Sequence, residues 1–299
     1  MRRGVRGDFR TPLALLAVGA VVAAAVAGIV RARDLHVRRC RDGLARIYVV
    51  RDDDGEPVRV LNVGGAYQSA TRLGERWAEP AFEYYRAFDR MFEANVSSDG
   101  GSVSSGDALD GDGGLTEAFS IRDVLMIGGG GCSYPKHALM SHDDIRIDVV
   151  EKDPAIARIA RDFFFVDRLE KVLEARGEGH RFRLVVDDGL KYLERGERLY
   201  DVVIDDAFSG DAADYALVSE AGLGVVKSRL RRDGLLLLNV VADDSLQDAM
   251  RLQETIAVLR RGFRFVHVID ATDEQFGGKS NYLVVATDGA HAFSDVIPW

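Results

Sequence analysis

The sequence predicts an α/β fold: a Rossmann-like, doubly wound and mostly parallel sheet that ends in a C-terminal antiparallel hairpin. In the second half of the chain, continuous apolar runs alternate with segments of helical periodicity, which is typical of a parallel sheet covered on both faces. The first run leads into four glycines, Gly128 to Gly131, which let the backbone approach a ligand at a helix N-terminus. The last two runs have no helix between them, which predicts the hairpin.

Composition excludes several classes of protein. The chain has 299 residues, of which 47% are hydrophobic and 29% charged, enough for one sizeable α/β domain and a smaller appendage. The formal net charge of −9 argues against a nucleic-acid partner, because phosphate binding needs clustered Lys and Arg. The two cysteines, Cys40 and Cys132, lack the spacing of metal ligands, so we expect neither a disulfide framework nor a metal site.

The N-terminal segment differs from the rest of the chain. Residues 12–30 carry no charge, and a run of this length matches the hydrocarbon core of a bilayer, about 30 Å thick. It predicts one N-terminal transmembrane helix, with residues 1–33 as a membrane anchor. Arginines flank the run on both sides, Arg38 and Arg39 among them, so the positive-inside rule does not choose an orientation. The alternative is a cleaved signal peptide ending near Ala27, but the run is longer than a typical signal core.

A small β-rich N-terminal domain is predicted at residues 34–94. Between Ala45 and about Thr71, short β-forming runs alternate with turn signals, which predicts an antiparallel sheet. From Ala78 to Phe92 the aromatic residues recur at helical spacing, which predicts a helix. Residues 95–119 are rich in Gly, Ser and Asp, which predicts a linker or loop before the parallel-sheet domain at residues 120–299.

Acidic residues end the predicted strands of the parallel sheet. The strand RIDVVE ends at Glu151, about 20 residues beyond the glycines, where a carboxylate can accept hydrogen bonds from both hydroxyls of a ribose. Asp153 is better explained as the N-cap of a helix that has Pro154 in its first turn. Asp187 and Asp188 end the next strand, where Asp188 is placed to accept from an adenine amine. The alternative for either residue is an N-cap of the following helix.

A further pair of carboxylates, Asp205 and Asp206, ends the strand YDVVIDD. A carboxylate at this position overhangs the crevice outside the strand ends, where open α/β sheets bind ligands. Neighbouring residues of a strand point to opposite faces, so we expect Asp206 to face the crevice and Asp205 to point away from it. The competing interpretation is a strand-end carboxylate without a chemical role.

Together these motifs resemble one known family. The succession VLMIGGGG, IDVVEKDP, VVDDGLKYL and YDVVIDDAFSG, preceded by GGAYQSA, resembles the spermidine synthase (polyamine aminopropyltransferase) family over residues 45–288. The segments GGGGCSYPK and DDAFSG are similar to those of divergent bacterial spermidine-synthase-like members. The resemblance implies a class I S-adenosylmethionine-dependent methyltransferase fold, with the nucleoside-binding catalytic domain at residues 120–299.

The resemblance also implies roles for individual residues. Asp206 would be the catalytic aspartate that receives the proton of an amine. The acceptor pocket would hold a tyrosine, for which both Tyr84 and Tyr85 stay open, and Ser209. The residues that would bind the nucleoside of the co-substrate are Gln68, Gly128, Gly130, Glu151 and Asp188.

Two positions depart from the family's pattern. Gly131 stands where the family has an Asp that contacts the donor, and Ser209 stands where it has the second Asp of a D-S-x-D motif. The loss of two carboxylates weakens recognition of a polycation, because a buried ammonium needs a paired charge. The resemblance therefore supports the fold and the nucleoside site more firmly than a polyamine substrate.

Three functions stay open on these residues. We favour aminopropyl transfer from decarboxylated S-adenosylmethionine to a small amine in polyamine biosynthesis, with Asp206 as the base. The second is methyl transfer from S-adenosylmethionine, for which Gly131 would leave room for the methionine carboxylate. The third is a nucleoside-binding membrane module without catalysis. A homodimer is expected by analogy with the family, and a globular part on the cytoplasmic side because the nucleoside donor is made there.

Overall fold

The N-terminal part of the molecule is a four-stranded antiparallel sheet. In the computed structural model, which describes residues 34–94, 119–207, 216–242, 245–272 and 280–299, its strands lie in the order β1-β2-β3-β4. Their bounds are β1 His36–Cys40, β2 Gly43–Arg51, β3 Pro57–Val63 and β4 Ala66–Arg72. The predicted antiparallel sheet is confirmed, and it begins one strand earlier than expected. Arg38 and Arg39 lie in this additional strand, β1.

The helix predicted from Ala78 to Phe92 is shorter in the structure. The α-helical part is α1, Tyr84–Ala87, which a 3₁₀ turn continues over Phe88–Ala94. The chain before α1 is held away from helical geometry because Pro80 forms an isolated antiparallel bridge with Thr71 of β4. The aromatic side chains of the segment nevertheless pack into the core, which explains their spacing.

The second sheet has seven strands and is mostly parallel. Its strands are β5 Asp123–Ile127, β6 Arg146–Glu151, β7 Phe182–Val186, β8 Tyr200–Asp205, β9 Leu230–Ala242, β10 Phe265–Asp270 and β11 Ser280–Thr287. They lie in the order β10-β11-β9-β8-β5-β6-β7. Strands β5 to β9 run parallel, whereas β11 is antiparallel to both β9 and β10. The prediction of a mostly parallel α/β sheet with a C-terminal antiparallel hairpin is therefore confirmed.

Helices follow the parallel strands, as the sequence predicts. They are α2 Ser133–Ser141, α3 Pro154–Phe163, α4 Val166–Ala175, α5 Gly189–Arg195, α6 Glu220–Arg229 and α7 Leu246–Gly262. Alternate residues of β5 belong to two separate hydrophobic clusters, Val124 and Met126 to one and Leu125 and Ile127 to the other. Both faces of the sheet are therefore covered.

Helix α2 fixes the N-terminal sheet above the parallel sheet. The Lys136 Nζ, which is buried, donates to Thr71 Oγ1 of β4 at 2.8 Å and to the carbonyl oxygen of Phe164 at 2.7 Å. Ser133 Oγ of the same helix donates to the carbonyl oxygen of Ala70 at 2.5 Å. Burial lowers the pKa of Lys136 to about 7. These contacts place β4 directly beside the glycine turn that precedes α2.

The structure does not support the predicted membrane localisation. Within the described ranges, no helix is long and apolar enough to cross a membrane. The longest helix there, α7, has 17 residues and includes the charged Arg251, Glu254 and Arg260. The apolar run at residues 12–30 and most of the predicted linker, residues 95–118, lie outside the described residues.

Candidate active site

A cavity of about 600 Å³ opens where the N-terminal sheet meets the carboxyl ends of the parallel strands. This volume is in the range of small-molecule sites, about 300–1,000 Å³. Every predicted site residue that the structure describes lines it, namely Gln68, Tyr84, Tyr85, Gly128, Gly130, Glu151, Asp188 and Asp206. Ser209 lies outside the described residues. Residues that the sequence analysis selected from distant parts of the chain thus line one cavity. Their individual roles stay predictions.

Gly128 brings the end of β5 against the end of β8. Its φ is 88°, and a Cβ at this position would lie 2.5 Å from the backbone oxygen of Asp206. Only glycine accepts both this conformation and this approach without strain. The N–H of Gly128 donates to the carbonyl oxygen of Val150, and the N–H of Asp206 donates to that of Ile127. The glycine turn and Asp206 are therefore held as one backbone unit.

Glu151 is buried and holds the glycine turn. Its Oε2 accepts from the N–H groups of Gly129 at 3.1 Å and Gly130 at 3.2 Å, and its Oε1 accepts from the N–H of Asp153 at 2.9 Å. Burial raises its pKa despite these three hydrogen bonds. A carboxylate offers about four acceptor positions, so a ribose hydroxyl would have to share this side chain with the backbone.

The glycine at position 131 does not open space in the cavity. A Cβ on Gly131 would lie 2.6 Å from the ring of Phe164 and 2.8 Å from Ser69 Oγ. The residue is not among those that line the cavity. The expectation that Gly131 leaves room for a methionine carboxylate is therefore wrong, because Phe164 already fills the space that its side chain would occupy.

Asp188 caps a helix and also lines the cavity. Its Oδ1 accepts from the N–H of Lys191 at 3.1 Å, which makes it the N-cap of α5. Asp153 caps α3 by accepting from the N–H of Ala155 at 2.7 Å, as predicted. Asp187 instead pairs with Arg195 at the surface. The capping alternative thus applies to Asp188, and contact with an adenine stays a prediction that the cavity allows.

Asp206 faces the cavity and is half-buried. Its Oδ1 accepts from Asn239 Nδ2 at 2.8 Å. Burial raises the pKa of Asp206 to about 7, a hydrogen bond from Asn239 lowers it in part, and the nearby Asp205 raises it further. Asp205 is buried, does not line the cavity and accepts from the N–H of Ala207. A general base works best when its pKa lies near the pH of the reaction, and the pKa of Asp206 meets this condition near neutral pH.

Aromatic rings form the wall near Asp206. The rings of Tyr84 and Tyr85 lie 4.2 Å apart, and Phe82 stacks on both. Tyr84 is half-buried, whereas Tyr85 is fully buried with its hydroxyl 3.4 Å from Ser69 Oγ. Burial raises the pKa of Tyr85, and the charge of Asp206 adds to the effect. Both candidates for the acceptor-pocket tyrosine therefore reach the cavity.

Five polar residues of the cavity escaped the sequence reasoning: Asp42, Tyr67, Lys152, Asn239 and Asn281. Asn239 follows four leucines inside β9, so a polar residue that interrupts a buried apolar run is the signal that could have found it. Tyr67 directly precedes Gln68 in the segment GGAYQSA. Asn281 lies in β11, and no pattern in the sequence distinguishes it.

Comparison with known proteins connects this chain to one family. A family model described as the spermine/spermidine synthase domain matches residues 112–263, slightly more than half of the chain. The polyamine aminopropyltransferase of Vibrio vulnificus is 28% identical over 129 residues, which cover 42% of this chain and 40% of the relative. The match thus spans less than half the length of that curated relative.

Two further comparisons give a similar solved structure and a methyltransferase of similar sequence. A probable spermidine synthase from Corynebacterium glutamicum has a similar structure, with a TM-score of 0.61, 19% identity and coverage of 85% of this chain and 80% of the other. The eEF1A lysine and N-terminal methyltransferase of Mus musculus is 31% identical over 159 residues, which cover 48% of this chain and 20% of the relative. The fold is therefore of the Rossmann-like methyltransferase type, with an antiparallel N-terminal sheet added.

Proposed function

Because the chain belongs to the spermine/spermidine synthase family, we propose that it is a transferase that moves an aminopropyl group from decarboxylated S-adenosylmethionine to an amine. The observation that carries the proposal is Asp206, a half-buried carboxylate whose pKa burial raises to about 7, at the cavity wall. It lies between the glycine turn and the aromatic side chains of α1. This position suits a base that acts between a bound nucleoside and an acceptor.

The proposed reaction is a single displacement. The neutral nitrogen of the acceptor attacks the aminopropyl carbon bonded to the sulfonium, and the carbon–sulfur bond breaks with its electron pair going to sulfur. The products are a thioether nucleoside and a protonated secondary amine, whose proton passes to Asp206. An ionised Asp206 is therefore required, and activity should fall below about pH 7.

The glycine turn favours a donor without a carboxylate. The N–H of Gly128 donates to Val150, and the N–H of Cys132 donates to Gly129. Of the three N–H groups between them, those of Gly129 and Gly130 donate to Glu151, and Gly131 does not line the cavity. A methionine carboxylate would need such donors, because an anion at a helix N-terminus is normally held by backbone N–H groups. The N–H groups of the three glycines that line the cavity, Gly128 to Gly130, are thus all engaged, which supports the decarboxylated donor.

Methyl transfer from S-adenosylmethionine is the second candidate function. The likeness to the mouse methyltransferase favours it, since that relative is about as similar to this chain as the aminopropyltransferases are. The cavity would serve the nucleoside of either donor. The two reactions differ in the group that leaves sulfur, so they yield different nucleoside products.

A product assay tests the proposal. The full chain is incubated with decarboxylated S-adenosylmethionine or with S-adenosylmethionine and a panel of mono-, di- and triamines, and the nucleoside products are separated by chromatography. Release of methylthioadenosine that depends on an added amine is the expected result. Formation of S-adenosylhomocysteine would favour methyl transfer instead. Calorimetric binding of either donor without turnover would favour a non-catalytic module.

A further inference from the structure

We propose that Asn239 is the positioning residue for Asp206, and that its carboxamide holds this side chain both before and after the proton is transferred. The inference rests on the proposed function, because it assigns a partner to the proposed base. It concerns a residue on a different strand, β9, that the sequence motifs did not single out.

The strand register places the two side chains side by side. Asp205 of β8 pairs with Leu238 of β9 in the parallel ladder, so the residues that follow them, Asp206 and Asn239, are neighbours at the carboxyl end of β8. The Asn239 Nδ2 lies 2.8 Å from Asp206 Oδ1. Asn239 is half-buried and lines the cavity.

The surrounding sequence indicates that this amide is not there for packing. Residues 235–238 are all leucines and are buried, and Val240 on the other side is buried as well. A polar side chain in such a strand reduces hydrophobic stabilisation unless it finds a hydrogen-bond partner. Asp206 is that partner, so the hydrogen bond between the two side chains accounts for a polar residue at position 239.

The carboxamide suits both protonation states of its partner. Its NH₂ group donates to Oδ1 of the ionised carboxylate, and it can keep donating to Oδ1 when a proton is on Oδ2, because Oδ1 is then the carbonyl oxygen of the carboxyl group. In either state one oxygen of Asp206, Oδ1, is held by Asn239. The other oxygen, Oδ2, is then directed at the amine, which would fix the line of proton transfer.

The other groups around Asp206 raise its pKa, so Asn239 opposes them. Burial and the negative charge of Asp205 both favour the protonated form, and the hydrogen bond from Asn239 favours the ionised form. Tyr85 approaches from α1 as a neutral hydroxyl, and the turn after β5 contributes glycine backbone. Removing the carboxamide should therefore leave only influences that raise the pKa of Asp206.

The test compares Asn239→Leu and Asn239→Asp with the original chain. Leu suits a strand of leucines but cannot donate, and Asp keeps the size but adds a second negative charge. In both variants the acid limb of the kcat/KM profile should move up by about one to two pH units, the scale of a hydrogen bond to a charged group. At pH 7 this gives about a 5- to 50-fold loss that recovers toward pH 9. Asn281→Leu, which removes another carboxamide of the cavity, should leave the position of the limb unchanged.

A second readout does not need turnover. The melting temperature of each ligand-free chain is measured against pH alongside its counterpart that also carries Asp206→Asn, and the difference reports the protonation midpoint of Asp206. We expect this midpoint to rise in both Asn239 variants. An unchanged midpoint, or an equal loss of kcat/KM at every pH, would overturn the inference. If no amine is turned over by any chain, the proposed function fails, and the midpoint still decides the role of Asn239.

Discussion

The carboxylates at the two ends of the parallel sheet have opposite environments. Toward the amino ends of the strands, Asp123, Asp148 and Asp201 are buried, and arginines donate to all three. At the carboxyl ends, Glu151 accepts from backbone N–H groups and Asp206 accepts from a carboxamide. One set is held by fixed cations and the other by neutral donors.

The pKa values of Asp123 and Asp206 differ in the same sense. Burial acts to raise the pKa of Asp123, but hydrogen bonds from Arg146, Arg198 and Arg231 outweigh it and lower the pKa below its usual range. Burial raises the pKa of Asp206 to about 7, and its hydrogen bond from a neutral amide offsets only part of this. A carboxylate among arginines therefore stays charged and stabilises the sheet. A carboxylate among neutral donors changes its protonation near neutral pH, as proton-transfer chemistry requires.

The largest expected effect comes from removing the proposed base. Asp206→Asn keeps the shape of the side chain but cannot accept a proton, so turnover should fall by about 10²- to 10⁴-fold, the usual scale of general-base catalysis. Binding of the nucleoside should change little, because the glycine turn and Glu151 remain. Steady-state release of the nucleoside product, measured beside calorimetric binding, checks both parts.

The matched control is the neighbouring carboxylate. Asp205 is buried and bonded to the N–H of Ala207, and it does not line the cavity, so Asp205→Asn should reduce turnover much less. Full activity of Asp206→Asn, or equal losses in the two variants, would rule out the assignment of Asp206 as the base.

At the opposite end of the sheet, the loss should be in stability. Asp123→Asn leaves Arg146, Arg198 and Arg231 without the charge that holds them together, which should lower the free energy of unfolding by about 2–4 kcal/mol. Urea denaturation of the full chain measures this. Nucleoside affinity of the folded protein should not change, because the cluster lies at the other end of the strands.

An exposed ion pair provides the control for that measurement. Arg76 and Glu79 form a surface pair 2.7 Å apart, and Glu79→Gln should lower the free energy of unfolding much less than Asp123→Asn does. A comparable loss in both variants would mean that the arginines around the buried Asp123 stabilise the fold no more than a surface ion pair does.

A smaller effect is expected for the donor side of the cavity. Glu151→Ala should weaken nucleoside binding by about 1.5–3 kcal/mol, or about 10- to 100-fold in Kd, because a charge-assisted hydrogen bond is lost and the glycine turn loses its acceptor. Calorimetry with the thioether nucleoside measures it. Glu151→Gln keeps the size and should show an intermediate loss. An unchanged Kd in Glu151→Ala would remove Glu151 from the nucleoside site.

The sequence predicted the sheet and its crevice better than it predicted partners across the sheet. Glu151 and Asp206 were found because acidic residues that end buried strands follow a positional rule, and both line the cavity. Asn239 lies inside β9, three residues before its end, and does not follow this rule. Its importance depends on the register of β8 against β9, a pairing between distant segments. The packing of Phe164 against Gly131 also joins distant parts of the chain, so the space at that glycine could not be judged from the sequence.

The last prediction concerns the pH dependence of stability and is the smallest. The pKa of Asp206 is raised from an unfolded value near 3.8 to about 7, so the folded chain binds this proton more tightly than the unfolded chain does. Its contribution is therefore fully present below about pH 4 and is lost as the pH rises to about 7. Asp206→Asn is neutral throughout and should become more stable than the original chain over this window, by about 1–2 kcal/mol at pH 8. Asp123, whose pKa is lowered, contributes in the opposite sense, because its stabilisation is lost as the pH falls. Melting temperatures of the original chain and Asp206→Asn at pH 4, 6 and 8 check this. A difference that stays constant with pH would mean that Asp206 titrates normally, and the contrast between the two ends of the sheet would then rest on the arginines alone.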